Sequence, residues 1–313
     1  MIKLSIVFPC YNQTHLLEEA FSFLEKSKEK NFIKIIKHDC STANYRAFLN
    51  NEIWRPLEYI ENKTNLGAIK NMISCLFIKS EGKYIMCHHE DDLIHESYLK
   101  IAIDYLDSNP EVSFIGSEFV LFNKKEDITQ KKYEQVTINK YNLKEISNFF
   151  SENDTLAFGS VIYRRKDISE NQINTNDYAM MFDRPFLLKI LEQKGGVGAI
   201  IKSPLYFYRY HKYPDNRWKG LKIENIFNLF LLYKQVDPNN RIFRRYFFDF
   251  AGLDGKKLKN FKYFIYSLKH LKLKYTLPNQ KSVKFIFAGI IIILLGKKNY
   301  SKLFEIIKNK INL

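Results

Sequence analysis

Short apolar runs alternate with segments of helical periodicity along the first third of the chain, and this alternation limits the possible folds more than any other sequence feature. Strands are predicted at Leu4–Phe8, Ile33–Lys37, Leu57–Glu61 and Tyr84–Cys87. Helices are predicted from Thr14, at Ile69–Ser80 and at Ser97–Leu106. Strands and helices in this order predict an α/β fold whose sheet is parallel, with right-handed crossovers.

Polar residues follow each predicted strand. Tyr11, Asp39 and Asn65 come after the first three strands, and Glu90–Asp92 follows the fourth. The carboxyl ends of parallel strands meet at one edge of a sheet, where ligands bind in open α/β folds. We therefore expect these distant residues to line a common cleft.

Glu90, Asp91 and Asp92 form an acidic run directly after a buried strand. Adjacent carboxylates repel one another, and a divalent cation with oxygen ligands would relieve that repulsion. The alternative is a solvated acidic turn that caps the following helix. The run by itself does not decide between the two.

The second half of the sequence predicts a more mixed arrangement, with a strand at Val112–Phe122 and a surface excursion at Asn123–Asn142. A strand at Leu156–Tyr163 has Gly159 and Ser160 at its centre, where a ligand can approach the backbone. Asn176 and Asp177 precede a predicted helix, Tyr178–Leu191. Short strands follow at Val197–Ile201 and Pro204–Tyr210, and helices dominate from Leu221 onwards.

The formal net charge of +15 is concentrated at the end of the chain. Between Arg241 and Leu313 there are 17 lysines and arginines but three acidic residues, among many aromatic and apolar side chains. Basic, apolar helices suit an anionic membrane surface, and we expect peripheral membrane association through residues 241–313. A helical bundle with a lysine-rich face and an oligomer interface are the alternatives. Nucleic-acid binding is a less favoured one, because no helix-turn-helix, zinc or RNA-binding signature is present.

The remaining sequence features favour a cytoplasmic protein. The four cysteines form no CxxC pair and are expected to be reduced. The amino-terminal segment does not have the pattern of a signal peptide. The longest apolar run, Phe285–Leu295, is shorter than the roughly 20 residues needed to span a bilayer.

Six motifs occur in order: Ser5–Asn12, Asp39–Thr42, Asn65–Asn71, Gly82–Asp92, Asn176–Asp177 and Tyr208–His211. Together they resemble the family 2 glycosyltransferases, and the resemblance extends from about Lys3 to His211. It implies a Rossmann-like nucleotide-sugar transferase (GT-A) domain with a mixed central sheet at 1–215, and a helical carboxyl-terminal region at 216–313. The implied reaction is sugar transfer, with inversion, from a nucleotide diphosphate donor such as a UDP-sugar to an acceptor hydroxyl.

The resemblance also implies a divalent cation, Mn²⁺ or Mg²⁺, held in this family by an Asp-x-Asp motif. The aligned triplet here is His89-Glu90-Asp91, so His89 replaces the first aspartate. We assign metal contact to Asp91, support to Asp92, and contact with the ribose or the sugar ring to His89. Glu90 is assigned to binding of the nucleotide-sugar, as Asp91 also is. His211 is a further candidate metal or diphosphate ligand. His88 is expected to be a packed, hydrogen-bonded histidine.

On the nucleotide side, Asp39 resembles the aspartate that accepts a hydrogen bond from uracil. Pro9 shapes the adjoining turn. Tyr11 either stacks on the base or packs in the core. Asn65 follows the third strand, and Lys70 either reaches the base or a phosphate or is a solvated helical lysine.

Asp177 resembles the family's general base, which removes the proton of the attacking hydroxyl. Capping of the helix that follows is the alternative role for Asp177, as it is for Asn176. Asp183 is the second candidate base, and Arg209 is expected to anchor the loop that carries His211. The expected acceptor is a glycan or lipid-linked glycan of the bacterial surface, reached from the inner face of the membrane. A non-catalytic nucleotide-sugar binder is the competing function.

Overall fold

The computed structural model describes residues 2–128, 136–151, 156–210 and 223–237. The chain divides into two compact units, Met1–Leu221 and Lys222–Leu313. The described part of the second unit contains one helix, Ile223–Val236 (α7), near the predicted Leu221–Tyr233. The other helices predicted for the basic tail, and the tail's predicted membrane contact, lie outside the described residues.

The first unit alternates strands and helices along most of its length. Its strands are β1 (Leu4–Cys10), β2 (Phe32–His38), β3 (Leu57–Glu61), β4 (Tyr84–Cys87), β5 (Leu93–Ile94), β6 (Val112–Phe122), β7 (Ile138–Tyr141), β8 (Ile162–Arg164) and β9 (Val197–Arg209). Its helices are α1 (Thr14–Leu24), α2 (Ala68–Leu76), α3 (Tyr98–Ser108), α4 (Leu143–Ser151), α5 (Thr175–Tyr178) and α6 (Asp183–Lys194).

The strands form one mixed sheet in the order β3-β2-β1-β4-β8-β6-β9-β5, with β7 beside β9. β1 is parallel to both β2 and β4, and β3 is parallel to β2, as the alternation predicts. β8 is antiparallel to both β4 and β6, so β6 returns to the direction of β4, and β9 runs parallel to β6. The carboxyl ends of β1, β2, β4, β6 and β9 therefore lie at one edge. The predicted α/β fold with a mixed central sheet is confirmed.

The core lies between this sheet and helices with one apolar face. In α1 the buried residues are Leu16, Leu17, Ala20, Phe21 and Leu24, which is the spacing of a helix that buries one stripe. Phe21 meets Phe8 of β1 edge to face, with ring centroids 5.1 Å apart. Burial of this kind fixes the ends of β1 and β2, and therefore the polar turns that follow them.

Three predicted boundaries in the second half are wrong. Phe158–Ser160 is a 3₁₀ turn rather than strand, closed by the Ser160 amide on the carbonyl of Ala157, so the strand shrinks to β8. Residues 197–209 form the single strand β9, because a register shift opposite Ser117 and Glu118 accommodates Pro204. The surface excursion contains the strand β7, which pairs with β9.

The predicted start of the helix after Asn176 and Asp177 is also wrong, although residues 183–191 of that helix are helical. Both residues lie inside the short helix α5, whose amino-terminal cap is Asn174: its side chain accepts the Asp177 amide at 3.0 Å. α5 ends at Tyr178, because the next residue, Ala179, has a φ of +48°, a value that a continuing helix does not allow. The long helix α6 therefore begins at Asp183 and ends at Lys194, and the residue after it, Gly195, has a φ of +64°.

Across the described ranges, every helix falls short of the length and apolar content that a membrane crossing requires.

Candidate functional site

A cleft of about 490 Å³ opens at the carboxyl ends of the parallel strands. Its lining residues are Pro9, Tyr11, Gln13, Asp39, Asn65, Gly67, Ala68, Asn71, Met72, His89, Glu90 and Asp91. The parallel sheet thus brings together polar residues from four separate turns, as expected from their positions after successive strands. A volume of this size lies within the range of small-molecule and cofactor sites.

Asp39 organises one wall of the cleft. The residue is 2% exposed, and its carboxylate accepts the Leu66 amide at 2.7 Å and the Gly67 amide at 2.9 Å. Gly67 has a φ of +77°, which favours glycine, and its amide is also accepted by Asn65 Oδ1 at 2.9 Å. The carboxylate therefore fixes the shape of the β3–α2 turn at the mouth of the cleft.

A buried polar network behind Asp39 was missed by the sequence analysis. Asn62 donates through Nδ2 to Asp39 Oδ1 at 2.8 Å and to Asn71 Oδ1 at 3.0 Å, and it accepts a hydrogen bond from Lys37 Nζ. Asn71 in turn donates to the Lys37 carbonyl at 3.2 Å. Asn71 is the last residue of the motif Asn65–Asn71, and its place in that motif is the sequence signal that could have indicated its role in this network. Nothing in the sequence pairs Lys37 with Asn62.

Lys70 lies on α2 with an exposed side chain and is not among the residues that line the cleft. This placement matches a solvated helical lysine rather than a contact with the base. Tyr11, by contrast, is 47% exposed and lines the cleft, so it is not an ordinary core tyrosine.

Glu90 connects two turns of the cleft. Its Oε1 accepts the Tyr11 amide at 2.8 Å, and its Oε2 accepts the Tyr45 hydroxyl at 2.5 Å. Burial raises the pKa of Glu90 to about 7, with the nearby Asp91 acting in the same direction, although both hydrogen bonds favour the charged form. Tyr45 was not singled out from the sequence, because the residue follows no strand and belongs to no motif.

His89, Asp91 and Asp92 form a cluster with the composition of a metal site. One possible ligand atom from each residue lies within 4.8 Å of those from the other two. His89 Nδ1 is 3.0 Å from Asp92 Oδ2, whereas His89 Nε2 is buried and has no hydrogen-bond partner among the described residues. Burial alone would lower the pKa of His89, but the Asp92 hydrogen bond and the neighbouring carboxylates outweigh it and raise that pKa.

Asp92 is held by two residues of strand β9, Tyr206 and Arg209. Its Oδ2 accepts the Tyr206 hydroxyl at 2.7 Å, and its Oδ1 accepts the Arg209 amide at 2.8 Å. The Arg209 side chain donates to the Asp91 carbonyl at 2.7 Å and to Glu19 Oε2 at 2.6 Å. Arg209 therefore anchors the acidic turn itself. His211, the third predicted metal ligand, lies outside the described residues.

His88 is a packed histidine, as expected. Its ring lies 5.2 Å from Phe8 and 5.6 Å from Tyr206, and Nδ1 donates to the His89 carbonyl at 2.6 Å. Burial lowers the pKa of His88 to about 4, so the ring is neutral near pH 7.

The two candidate bases have different surroundings. Asp177 is exposed on α5, bonded to Asn174, and does not line the cleft. Asp183 is partly buried at the start of α6, and burial raises its pKa although Arg184 opposes the change.

Asp183 also lies next to a row of aromatic rings that ends at the metal-site cluster. The preceding residue, Phe182, packs on Phe158 with centroids 5.3 Å apart, and Phe158 stacks on His89 at 6.2 Å. This row connects the start of α6 with the acidic turn. Neither Asp177 nor Asp183 is among the residues that line the cleft, but packed side chains connect Asp183, through its neighbour Phe182, with the acidic turn.

Gly159 leaves room for the hydrogen bond between Tyr206 and Asp92. A Cβ at this position would collide with the Tyr206 hydroxyl and lie 3.2 Å from the His89 amide. We expect Gly159→Ala to displace the hydroxyl, release Asp92 and lower catalytic activity about tenfold, with stability reduced by about 1–3 kcal/mol. Activity assays and urea unfolding measure the two effects. Gly195→Ala is the control: it strains a turn with open space around its Cβ, so it should cost stability without a matching loss of activity.

The mixed sheet, with a cleft at the carboxyl ends of its parallel strands, is similar to the GT-A fold of nucleotide-sugar transferases. The sequence model of Glycosyl transferase family 2 matches residues 5–172, and the chain belongs to that family. An uncharacterized glycosyltransferase of Haemophilus influenzae is 24% identical over 272 residues, which cover 82% of this chain and 77% of that protein. The bifunctional glycosyltransferase pgtA of Dictyostelium discoideum is 26% identical over half of this chain and 24% of its own length.

Among solved structures, S. aureus TarS 1-349 in complex with UDP-GlcNAc superposes with a TM-score of 0.58 at 17% identity, covering 93% of this chain and 81% of that one. At this level of identity the similarity shows the fold. The family assignment and the fold together confirm the predicted class of enzyme.

Proposed function

We propose that the protein transfers a sugar from a UDP-sugar to an acceptor hydroxyl with inversion at the anomeric carbon. The observation that carries the proposal is that Asp39 and the His89–Asp91 turn line the same cleft, so that one molecule with a base at one end and a diphosphate at the other can contact both. The solved complex of TarS with UDP-GlcNAc supports the choice of UDP.

In this proposal the nucleoside lies against Asp39, Tyr11 and Asn65. Asp39 Oδ2 accepts one protein amide, from Gly67, and a carboxylate oxygen has capacity for a second donor such as an imide N–H of uracil. The half-exposed ring of Tyr11 provides a surface on which the base stacks. Pro9 lines the cleft between these groups and shapes the β1–α1 turn.

The residues of the acidic turn fit a divalent cation. The unpartnered Nε2 of His89 and the clustered carboxylates of Asp91 and Asp92 are a suitable donor set for Mn²⁺ or Mg²⁺. Asp91 and His89 would hold the ion, while Asp92 orients His89 through its hydrogen bond to Nδ1. When bound, such an ion neutralises the charge that develops on a departing diphosphate.

We assign the general base to Asp183 in preference to Asp177. The Asp183 carboxylate takes the proton of the acceptor hydroxyl as that oxygen bonds to the anomeric carbon. The bond from the anomeric carbon to the diphosphate oxygen breaks at the same time, and UDP leaves from the opposite face with the bonding electron pair. Burial of Asp183 raises its pKa and so increases its basicity.

The acceptor we propose is a glycan or lipid-linked glycan of the bacterial surface, reached from the cytoplasmic face. The concentration of positive charge in residues 241–313 supports a role at an anionic membrane. Binding to vesicles that contain anionic lipid, lost at high salt and on truncation before Arg241, tests this part of the proposal. Failure of the full-length protein to bind such vesicles would contradict it.

The central experiment measures thermal stabilisation by a panel of nucleotides and nucleotide-sugars, each with and without Mn²⁺. We expect UDP and one or more UDP-sugars to raise the melting temperature, more strongly with the cation, because a ligand that binds only the folded state stabilises it. Release of UDP from the stabilising sugar nucleotide then separates an enzyme from the competing function, a non-catalytic binder. Stabilisation by no nucleotide would contradict the proposal.

A further inference from the structure

The donor cleft depends on a side chain that does not line it. Tyr45 is fully buried at the start of the 3₁₀ turn Tyr45–Asn50, and its ring packs against His38 at 4.9 Å and Phe48 at 6.4 Å. Tyr45 belongs to none of the six sequence motifs. Its hydroxyl nevertheless lies at the junction of three segments that are far apart in the chain.

Two hydrogen bonds define that junction. The Tyr45 hydroxyl donates to Glu90 Oε2 at 2.5 Å and accepts the Gln13 amide at 2.8 Å. Glu90 accepts the Tyr11 amide through its other oxygen, at 2.8 Å. The hydroxyl and the carboxylate therefore hold the backbone at Tyr11 and at Gln13, the two ends of the β1–α1 turn.

The turn held in this way forms part of the cleft, and its backbone is constrained. Tyr11 and Gln13 both line the cleft, and Asn12 between them has a φ of +64°, a left-handed conformation that is uncommon for residues other than glycine and that asparagine tolerates better than most. Glu90 is also the residue between His89 and Asp91. The same carboxylate thus sets the distance between the turn that meets the base and the turn that meets the diphosphate.

We propose that Tyr45 is a positioning residue for donor binding: with Glu90, it fixes the β1–α1 turn at the distance from the acidic turn that one nucleoside diphosphate spans. This inference rests on the proposed function for the identity of the ligand, and on the hydrogen bonds alone for the geometry. It also assigns Glu90 a structural role in place of direct contact with the nucleotide-sugar, because both carboxylate oxygens already accept hydrogen bonds from protein groups.

The test is Tyr45→Phe, which keeps the ring and removes the hydroxyl. We expect the Kd for UDP, measured by calorimetry, and the KM for the nucleotide-sugar to rise about five- to tenfold, because the buried Glu90 carboxylate loses the hydrogen bond from Tyr45. We expect kcat at saturating donor to change less than twofold, because the variant removes binding rather than transition-state interactions. Hydrogen exchange of the Gln13 amide in the nucleotide-free protein should accelerate at least tenfold.

Tyr84→Phe is the matched control. The hydroxyl of this buried tyrosine also donates to a carboxylate, that of the more exposed Asp107, at 2.7 Å, but neither residue lines the cleft. We expect this variant to lose stability without a change in Kd or KM. Equal effects of the two variants on KM would show that loosening of the fold is sufficient, and would overturn the inference.

Two further outcomes are decisive. Unchanged UDP affinity and unchanged Gln13 exchange in Tyr45→Phe would also overturn the inference. Failure of the unsubstituted protein to bind any nucleotide would contradict the proposed function, and the claim that Tyr45 positions a donor would fall with it. Accelerated Gln13 exchange in Tyr45→Phe would still distinguish that failure from an error in the hydrogen-bond geometry.

Discussion

Replacement of Asp183 by asparagine is expected to lower kcat by about 10²–10⁴-fold, the usual contribution of a general base, with little change in the KM for the donor. The amide keeps the size and hydrogen-bonding capacity of the side chain at the start of α6 but cannot accept the proton of the acceptor hydroxyl. Because burial raises the pKa of Asp183, kcat/KM for the unsubstituted enzyme should rise with pH through a midpoint above the ordinary range for an aspartate.

Asp177→Asn is the matched comparison for that experiment. The residue is exposed on α5 and bonded to the cap residue Asn174, so its substitution should leave kcat within a few-fold of the original and cost at most about 1 kcal/mol of stability. The reverse result, a large loss in Asp177→Asn and a small one in Asp183→Asn, would return the base to the position that the sequence motif indicates. Both variants should retain UDP binding.

The second large effect is expected from Asp91→Asn. Loss of this carboxylate should reduce sugar transfer about 10³-fold or more, because a metal ion that stabilises a departing diphosphate contributes several kcal/mol and each 1.36 kcal/mol is a factor of ten in rate. The loss should be accompanied by loss of Mn²⁺ binding, measured directly by calorimetry on the nucleotide-free protein. Melting temperature should change little, since the Asp91 side chain is only partly buried.

Asp104→Asn serves as the control for Asp91→Asn. Asp104 forms an ion pair with Lys100 on the exposed face of α3, and such exposed pairs contribute little to stability. Transfer and Mn²⁺ binding should be unaffected. Full activity of Asp91→Asn with unchanged Mn²⁺ affinity would remove Asp91 from the site.

The elements predicted most accurately are those whose local sequence and burial agree. β3, β4 and β6 have the predicted limits. Each is a single stretch of strand-forming sequence with turn-forming residues at its ends. Positions after the parallel strands were also predictable, since topology alone brings Asp39 and Glu90–Asp92 to one edge. The strand limits and the positions that follow the parallel strands together predict most of the residues that line the cleft.

The sequence was less informative where distant contacts decide the local structure. Phe158–Ser160 reads as strand, yet close packing of Gly159 against Tyr206 accompanies a turn there. The backbone reversal at Ala179 moves the start of α6 to Asp183, and a positive φ at an alanine has no local signature. Tyr45 and Asn62 contribute through partners that are remote in the chain, at separations that no short motif records.

The attachment of Asp92 to Tyr206 and Arg209 has a consequence for biosynthesis. The acidic turn is translated more than a hundred residues before β9, the strand that supplies the Tyr206 hydroxyl and the Arg209 amide. These two hydrogen bonds to Asp92 join residues that are 114 and 117 positions apart in the chain. Folding on the ribosome begins from the amino terminus. The first strands of the sheet therefore emerge while the Asp92 carboxylate still lacks these two hydrogen-bond donors. A polypeptide halted at residue 172, the limit of the family match, could not yet form the hydrogen bonds that hold Asp92 in the acidic turn.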